Sequence, residues 1–302
     1  MRSNMTARQL AGISIAHSIK TYYTLAKPGI VMGNAITAIG GFALAAKGHV
    51  DYLLLLATLF GLSCIIGSAC AFNNYMDRGI DAKMARTKNR ALVTGQISPR
   101  RALVFASSLV LLGTLVLSLT TNWLAVFTAL FGFFVYVMLY TVGKSRTGYA
   151  TVIGSIAGGA PPAIGYCAVS DRFDLGALLL YGILVLWQMP HFYAITMYRF
   201  TDYAAASLPV LPVRKGMHTT KVRMLVYVVA FMVVAPALTL YGYTGYAYFA
   251  VAVALSFIWL LLGVQGFKSD NDKLWSRKMF LWSLVVITAL FITMALDVKT
   301  LL

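Results

Sequence analysis

Asn73, Asp77 and Asp81 recur every fourth residue at the end of a long apolar run, Asn73-Asn-Tyr-Met-Asp77-Arg-Gly-Ile-Asp81. In a helix the three share one face, with about 6 Å of rise between neighbours. That is a one-sided row of hard oxygen donors. Arg86, Lys88 and Arg90 follow at once, so basic side chains stand beside the acids. The pairing suits a divalent cation that carries a phosphate or diphosphate, because Mg²⁺ takes one or two carboxylates and fills its shell with substrate oxygens and water. Helix capping or headgroup contact is the plainer use of such residues. A cap, however, sits at the start of a helix, and two carboxylates at its end oppose the helix dipole unless a cation compensates them.

A second row lies in Trp187-Gln-Met-Pro-His191-Phe-Tyr-Ala-Ile-Thr-Met-Tyr198-Arg-Phe-Thr-Asp202. His191, Ile195, Tyr198 and Asp202 are spaced i, i+4, i+7 and i+11, which is one face if the helix is continuous. Asp202 then falls level with Asp77, with His191 about 16 Å deeper. His191 reads either as a packing residue bonded to the carbonyl freed by Pro190 or as a group facing a cavity. Lys144 and Arg146, like Arg86 and Arg90, are each readable as topological charge or as contacts to an anionic substrate.

The elements that must position these rows are membrane helices. The 302 residues are 60% hydrophobic and 11% charged, with a mean hydropathy of +0.78, outside the range of soluble domains. Apolar runs long enough to span a hydrocarbon core of about 30 Å lie near 28–46, 52–76, 102–119, 123–142, 149–169, 175–199, 224–243, 245–267 and 279–297. The expected fold is all-α, a polytopic bundle of nine transmembrane helices. With the amino terminus cytoplasmic, 22 of the 25 Lys and Arg fall on the cytoplasmic side, as the positive-inside rule requires.

All nine acids are Asp, with no Glu in the chain, so each one near a membrane segment needs a reason. Asp51, Asp171, Asp174 and Asp297 fall on the outer side, away from the chemistry. Asp270 and Asp272 read as solvated loop charges. The net charge of +16 is spread over many short connections and forms no stripe, which argues against nucleic acid. Cys64, Cys70 and Cys167 lie within apolar runs and read as packing residues. The first 20 residues show no cleaved signal pattern. Tyr241, Tyr243, Tyr246 and Tyr248 flank an outer turn and read as interfacial anchors.

Two connections, about 77–101 and 200–223, are longer than the rest, and each begins with Asp at a helix end and continues with basic residues. As a weak internal repeat they would form a lid over one opening, within a single membrane-embedded domain, 1–302. Between them, Gly154-Ser-Ile-Ala-Gly-Gly-Ala-Pro161-Pro162-Ala-Ile-Gly165 interrupts the fifth span. Broken backbone at membrane depth is tolerated where it lines a cavity. A secondary transporter also breaks its helices, but its ion-binding carboxylates lie near the midplane, whereas these cluster at one face.

Asn73-x3-Asp77-x3-Asp81 followed by Arg86-Thr-Lys-Asn-Arg90 resembles the first signature of the UbiA-type intramembrane prenyltransferases. Trp187-Gln-Met-Pro-His191-Phe, Tyr198-Arg-Phe-Thr-Asp202-Tyr-Ala-Ala-Ala and Leu208-Pro-Val-Leu-Pro212 resemble the branch that farnesylates protoheme IX. The resemblance runs from Lys27-Pro28 to the ninth span. It implies a bundle around a central cavity in which Asn73, Asp77, Asp81 and Asp202 hold Mg²⁺ on farnesyl diphosphate. Arg86, Arg90, Lys144 and Arg146 would bind the diphosphate, and Asp77, Asp81, Asp202, Tyr198 and His191 would carry the chemistry. Phe72, Tyr75, Tyr140, Phe192 and Tyr198 would shield an allylic cation. It also implies a multi-pass protein of the cell inner membrane, active site facing the cytoplasm, whose product passes to heme A synthase or terminal oxidase assembly. Another aromatic or quinone-precursor acceptor is the alternative. Two departures stand out: Tyr198 and Ala206 flank Asp202 where relatives pair acids, and Ala91 follows Arg90 where proline is expected.

Overall fold

The computed structural model describes residues 18–299. Among them every regular element is helical, apart from an isolated antiparallel bridge between Thr244 and Val298. A short helix α1 covers 18–25. Then come α2 (Pro28–Ala46), α3 (Tyr52–Asp81), α4 (Pro99–Thr120), α5 (Trp123–Phe134), α6 (Ala150–Gly158) and α7 (Ala160–Ser170). The chain continues through α8 (Leu175–Tyr198), α9 (Phe200–Ala205), α10 (Leu211–Val234), α11 (Ala237–Leu240), α12 (Tyr246–Gln265) and α13 (Asp272–Leu296). Nine stretches of the described residues are long and apolar enough to cross a membrane, as the hydropathy requires.

Local chemistry explains six of the helix starts. Asp51, Ser98, Asn122, Asp174 and Asn271 each accept backbone N–H bonds at the head of a helix, which satisfies donors that have no intrahelical partner. Pro28 and Pro99 occupy first-turn positions, where the missing N–H costs nothing. The fourth span does not end as an α-helix. It passes into a π-helical segment, Val135–Thr141, in which the Thr141 hydroxyl donates to the Tyr136 carbonyl.

The fifth span breaks where its glycines and prolines predict, at Gly159, between α6 and α7. The two α7 glycine and proline positions let α2 come very close. A Cβ on Gly41 would meet the Pro162 carbonyl, and one on Gly165 would meet the Ala38 carbonyl. Lipid tails are as apolar as leucine, so this backbone-to-backbone fit, not expulsion of water, holds the pair together. Large apolar side chains such as Leu53, Leu119, Trp123, Val233 and Leu296 point outward, as lipid-facing surfaces do.

Several expected boundaries move. The seventh span starts at Leu211 rather than 224, because helix continues through the basic residues with a kink at Gly216, φ 79°. The segment 200–223 is therefore largely helical. The ninth span starts at Asp272 rather than 279, and Asp272 is no free loop charge: it pairs with the buried Lys221 amine at 2.5 Å. Lys221 also donates to the Gly266 carbonyl at 2.7 Å, tying α10 to α12 and α13. Tyr241 and Tyr246 are exposed, as anchors should be, but Tyr248 is fully buried with its hydroxyl on the Ala235 carbonyl. All three cysteines are buried and free.

Candidate active site

The apolar run of α3 carries helical geometry through to Asp81, so Asn73, Asp77 and Asp81 do stack along one face. All three are buried, at 4%, 4% and 2% exposure. Burying carboxylates in a bundle core is costly unless each meets an opposite charge and hydrogen bonds. The structure supplies them from three other elements. Lys144, in the turn after the π segment, pairs with Asp77. Arg90, in the link between α3 and α4, pairs with Asp81 at 2.6 Å. Lys27, between α1 and α2, donates to the Asn73 carbonyl oxygen at 2.8 Å. The Asn73 amide in turn donates to the Thr141 hydroxyl at 3.2 Å.

Lys27 is the member of the ionic cluster that charge counting hides. It reads as one of many topological lysines, yet its side chain is half-buried with its amine on Asn73, and desolvation, the largest cause, pulls its pKa down to about 8. Its backbone is left-handed, φ 54°, immediately before Pro28. A Lys-Pro pair at the head of the first span is the one sequence signal that marks it.

The remaining sequence candidates divide. Arg86 is exposed but lies within electrostatic reach of Tyr203, whose hydroxyl is otherwise shifted upward by burial. Arg146 is exposed and forms no ion pair among the described residues. Asp202 is half-buried in the first turn of α9. It does not continue the face of His191 and Tyr198, because the helix breaks at Arg199, φ −106° and ψ 22°. The ends of α3 and α9 nevertheless meet: Ile80 and Met84 share a small apolar cluster with Tyr203, Ala206, Leu208 and Val210.

Beneath the ionic cluster lies a cavity of about 800 Å³. Cys70 and Tyr140 line it, one turn of α3 and one residue of the π segment from Asn73 and Thr141. Its walls include Phe133, Tyr136, Pro161, Trp187, Phe192 and Phe280. Of the expected aromatics, Tyr140 and Phe192 face this space. Phe72 and Tyr75 pack instead on the cluster around Leu25, Ala71 and Leu92, and Phe72 also meets the cavity-wall ring of Phe133 edge-on at 5.9 Å between centroids. Tyr198 packs on Phe280 at 5.6 Å between ring centroids. His191 lines the cavity, and its partner is not the carbonyl freed by Pro190 but the Ser283 hydroxyl of α13, at 2.7 Å. A larger groove of about 1370 Å³ runs outside the bundle past α1, α2 and α4 and touches none of the ionic cluster.

Among the described residues no three His, Cys, Asp or Glu side chains form a ready-made ion cage. The donor set still fits Mg²⁺, which needs few protein ligands when phosphate oxygens and water complete its octahedron. Hard oxygens from Asn73, Asp77 and Asp81 stand in one row, with Lys27, Lys144 and Arg90 beside them.

Fold and site together define a class: a membrane-spanning helical bundle with a buried, charge-balanced mouth over an aromatic cavity. Solved structures share this architecture. A digeranylgeranylglyceryl phosphate synthase superposes with a TM-score of 0.77 at 17% identity, over 93% of this chain and 98% of that one. A UbiA homolog from Archaeoglobus fulgidus bound to GPP and Mg²⁺ gives 0.68 at 14% identity, over 91% and 99%. Residues 34–284 match the UbiA prenyltransferase family. The chain belongs to that family, and it is a prenyltransferase. Among its relatives are the protoheme IX farnesyltransferases of Sodalis glossinidius (strain morsitans), 54% identical over 92% of this chain and 95% of that one, and of Serratia proteamaculans (strain 568), 52% identical over the same shares.

Proposed function

We propose that this prenyltransferase moves a farnesyl group from farnesyl diphosphate to a vinyl group of protoheme IX, giving heme O, with Mg²⁺ as its metal. One observation carries the reading: buried carboxylates and cations are gathered where an aromatic cavity of about 800 Å³ opens. A diphosphate fits the first region and a polyisoprenoid with a flat apolar acceptor fits the second. The named relatives support the acceptor.

Asn73, Asp77, Asp81 and Asp202 would hold the metal. When bound, Mg²⁺ would supply positive charge to offset that of the departing diphosphate. Lys144, Lys27 and Arg90 donate hydrogen bonds to the diphosphate oxygens, with Arg86 and Arg146 on the rim. The bond from farnesyl C1 to oxygen breaks, and its electron pair leaves with diphosphate. The ring faces of Phe133, Tyr136, Tyr140 and Phe192 stabilise the allylic cation and exclude water from it. The vinyl carbon then bonds to C1, and water adds to the cation left on the porphyrin side chain, losing one proton. His191 and Tyr198, both packed on Phe280, belong to the porphyrin end.

The links around 77–101 and 200–223 close over the mouth as a lid, a reading supported by the packing of Met84 against Ala206 and Leu208. The excess of Lys and Arg on that side supports a cytoplasmic active site in the cell inner membrane. Heme O would then be released toward heme A synthase or terminal oxidase assembly.

The test is incubation of the full-length protein in detergent with protoheme, farnesyl diphosphate and Mg²⁺, followed by mass analysis of the porphyrin. The expected product is protoheme bearing one hydroxyethylfarnesyl chain. Farnesyl diphosphate consumed only with another aromatic acceptor would overturn the acceptor, and none consumed with any acceptor would overturn the activity.

A further inference from the structure

Ser283 is fully buried on α13, 92 residues from His191 in sequence. Three hydrogen bonds meet there. Trp187 donates its indole N–H to the Ser283 carbonyl at 2.8 Å. The Ser283 hydroxyl lies 2.5 Å from the Phe280 carbonyl, to which it donates. The same hydroxyl lies 2.7 Å from His191 Nδ1.

A proton count at Ser283 favours one set of roles. A serine hydroxyl has one proton and two lone pairs. Its proton lies on the Phe280 carbonyl, an atom that can only accept. With that donation kept, the Ser283 oxygen accepts from His191, which puts the imidazole proton on Nδ1. The opposite tautomer would set two lone pairs against each other at one of the two contacts. A neutral imidazole protonated at Nδ1 has an unshared pair at Nε2. His191 Nε2 has no hydrogen-bond partner among the described residues, and the side chain lines the cavity.

The ring is also held in place. Trp187 stacks on it at 4.6 Å between centroids with a 25° tilt, and Phe280 packs at 4.9 Å. Trp187 precedes His191 by one helical turn, and both reach the same serine. One residue of α13 thus fixes the orientation and the protonation site of a histidine on α8.

We propose that Ser283 is a positioning residue that keeps His191 in the Nδ1–H tautomer, so that Nε2 presents its lone pair to the cavity and takes the metal of a metalloporphyrin. This rests on the porphyrin-acceptor reading and names which part of the acceptor His191 meets. Histidines that bind metals donate their other ring N–H to a fixed acceptor, and loss of that acceptor costs about 10- to 100-fold in metal affinity. Here the acceptor is a hydroxyl whose own proton is committed elsewhere.

The experiment titrates the full-length protein in detergent with iron protoporphyrin IX, zinc protoporphyrin IX and metal-free protoporphyrin IX, reading the Soret band. The parent is expected to bind both metal forms at least about tenfold tighter than the metal-free ring, with a shifted Soret band, and His191→Ala to lose both the preference and the shift. Ser283→Ala should cut the metal preference by about tenfold while farnesyl diphosphate still binds, and Ser283→Thr, which keeps the hydroxyl, should restore it. If Ser283→Ala does not fold, Ser283→Cys replaces it, since a thiol of similar size is a weak acceptor and should still weaken the preference. Equal binding of all three rings by the parent overturns the inference, as does a parent-like Soret band and preference in Ser283→Ala or Ser283→Cys. Farnesylation of protoheme without any metal preference would sink this assignment alone, whereas failure to bind or farnesylate any porphyrin would sink the acceptor reading with it.

Discussion

Aspartate does opposite work at the two ends of the bundle. At the end away from the ionic cluster, Asp51 and Asp174 sit at helix starts and accept backbone N–H bonds from Leu53, Leu54, Gly176 and Ala177. Asp297 accepts from the Tyr248 N–H that opens α12. There the helix dipole and the orphan donors favour a negative charge, so no partner cation is needed. At the other end, Asp77 and Asp81 occupy the last turns of α3, where the dipole opposes them, and both are buried. They persist only because Lys144 and Arg90 reach them from other segments. At Asp77 and Asp81 the charge stands against its local field and is compensated from afar; at Asp51 and Asp174 it stands with its field and caps a helix.

Chelation should break the comparison most sharply. EDTA is expected to abolish turnover, with recovery on adding Mg²⁺, and activity that persists in EDTA would remove the metal from the site. Next, Asp77→Asn should lower kcat/KM by roughly 10²- to 10³-fold, the scale of losing one preorganised electrostatic group. It should also destabilise the bundle by about 3 kcal/mol, the low end for a buried pair, since the partly buried Lys144 loses its partner. The double variant Asp77→Asn with Lys144→Met sharpens this point: stability in a denaturation assay should recover while turnover does not. Lys27→Met should raise KM for farnesyl diphosphate by about tenfold, the value of one charge-assisted hydrogen bond, with a smaller change in kcat. Smallest of all, Asp174→Ala should cost about 1 kcal/mol as a lost helix cap and leave kcat unchanged, and a fall in activity there would erase the distinction between the two ends.

Much of this was legible in the chain itself. The spacing of Asn73, Asp77 and Asp81 announces one helix face because the apolar run before them is unbroken. The break at Gly159 follows from Gly-Gly-Ala-Pro-Pro, a composition that cannot continue a helix without interruption. Spacing alone carries the face of His191 on to Asp202, because nothing local betrays the change of backbone at Arg199. Lys27 was lost among 25 basic residues, since burial of a lysine depends on what packs over it. The aromatics split for the same reason: Phe72 and Tyr75 neighbour Asn73 in sequence but pack on the cluster around Leu25, Ala71 and Leu92.

Hydropathy and period alone determined that the chain crosses a membrane as helices and that a row of oxygen donors ends α3, because both depend only on neighbours within a few turns. Which cation meets which carboxylate, and which nitrogen of His191 holds its proton, were decided by tertiary contact. Lys144 to Asp77 spans 67 residues and His191 to Ser283 spans 92, and no local rule of spacing reaches across helices that only packing brings together.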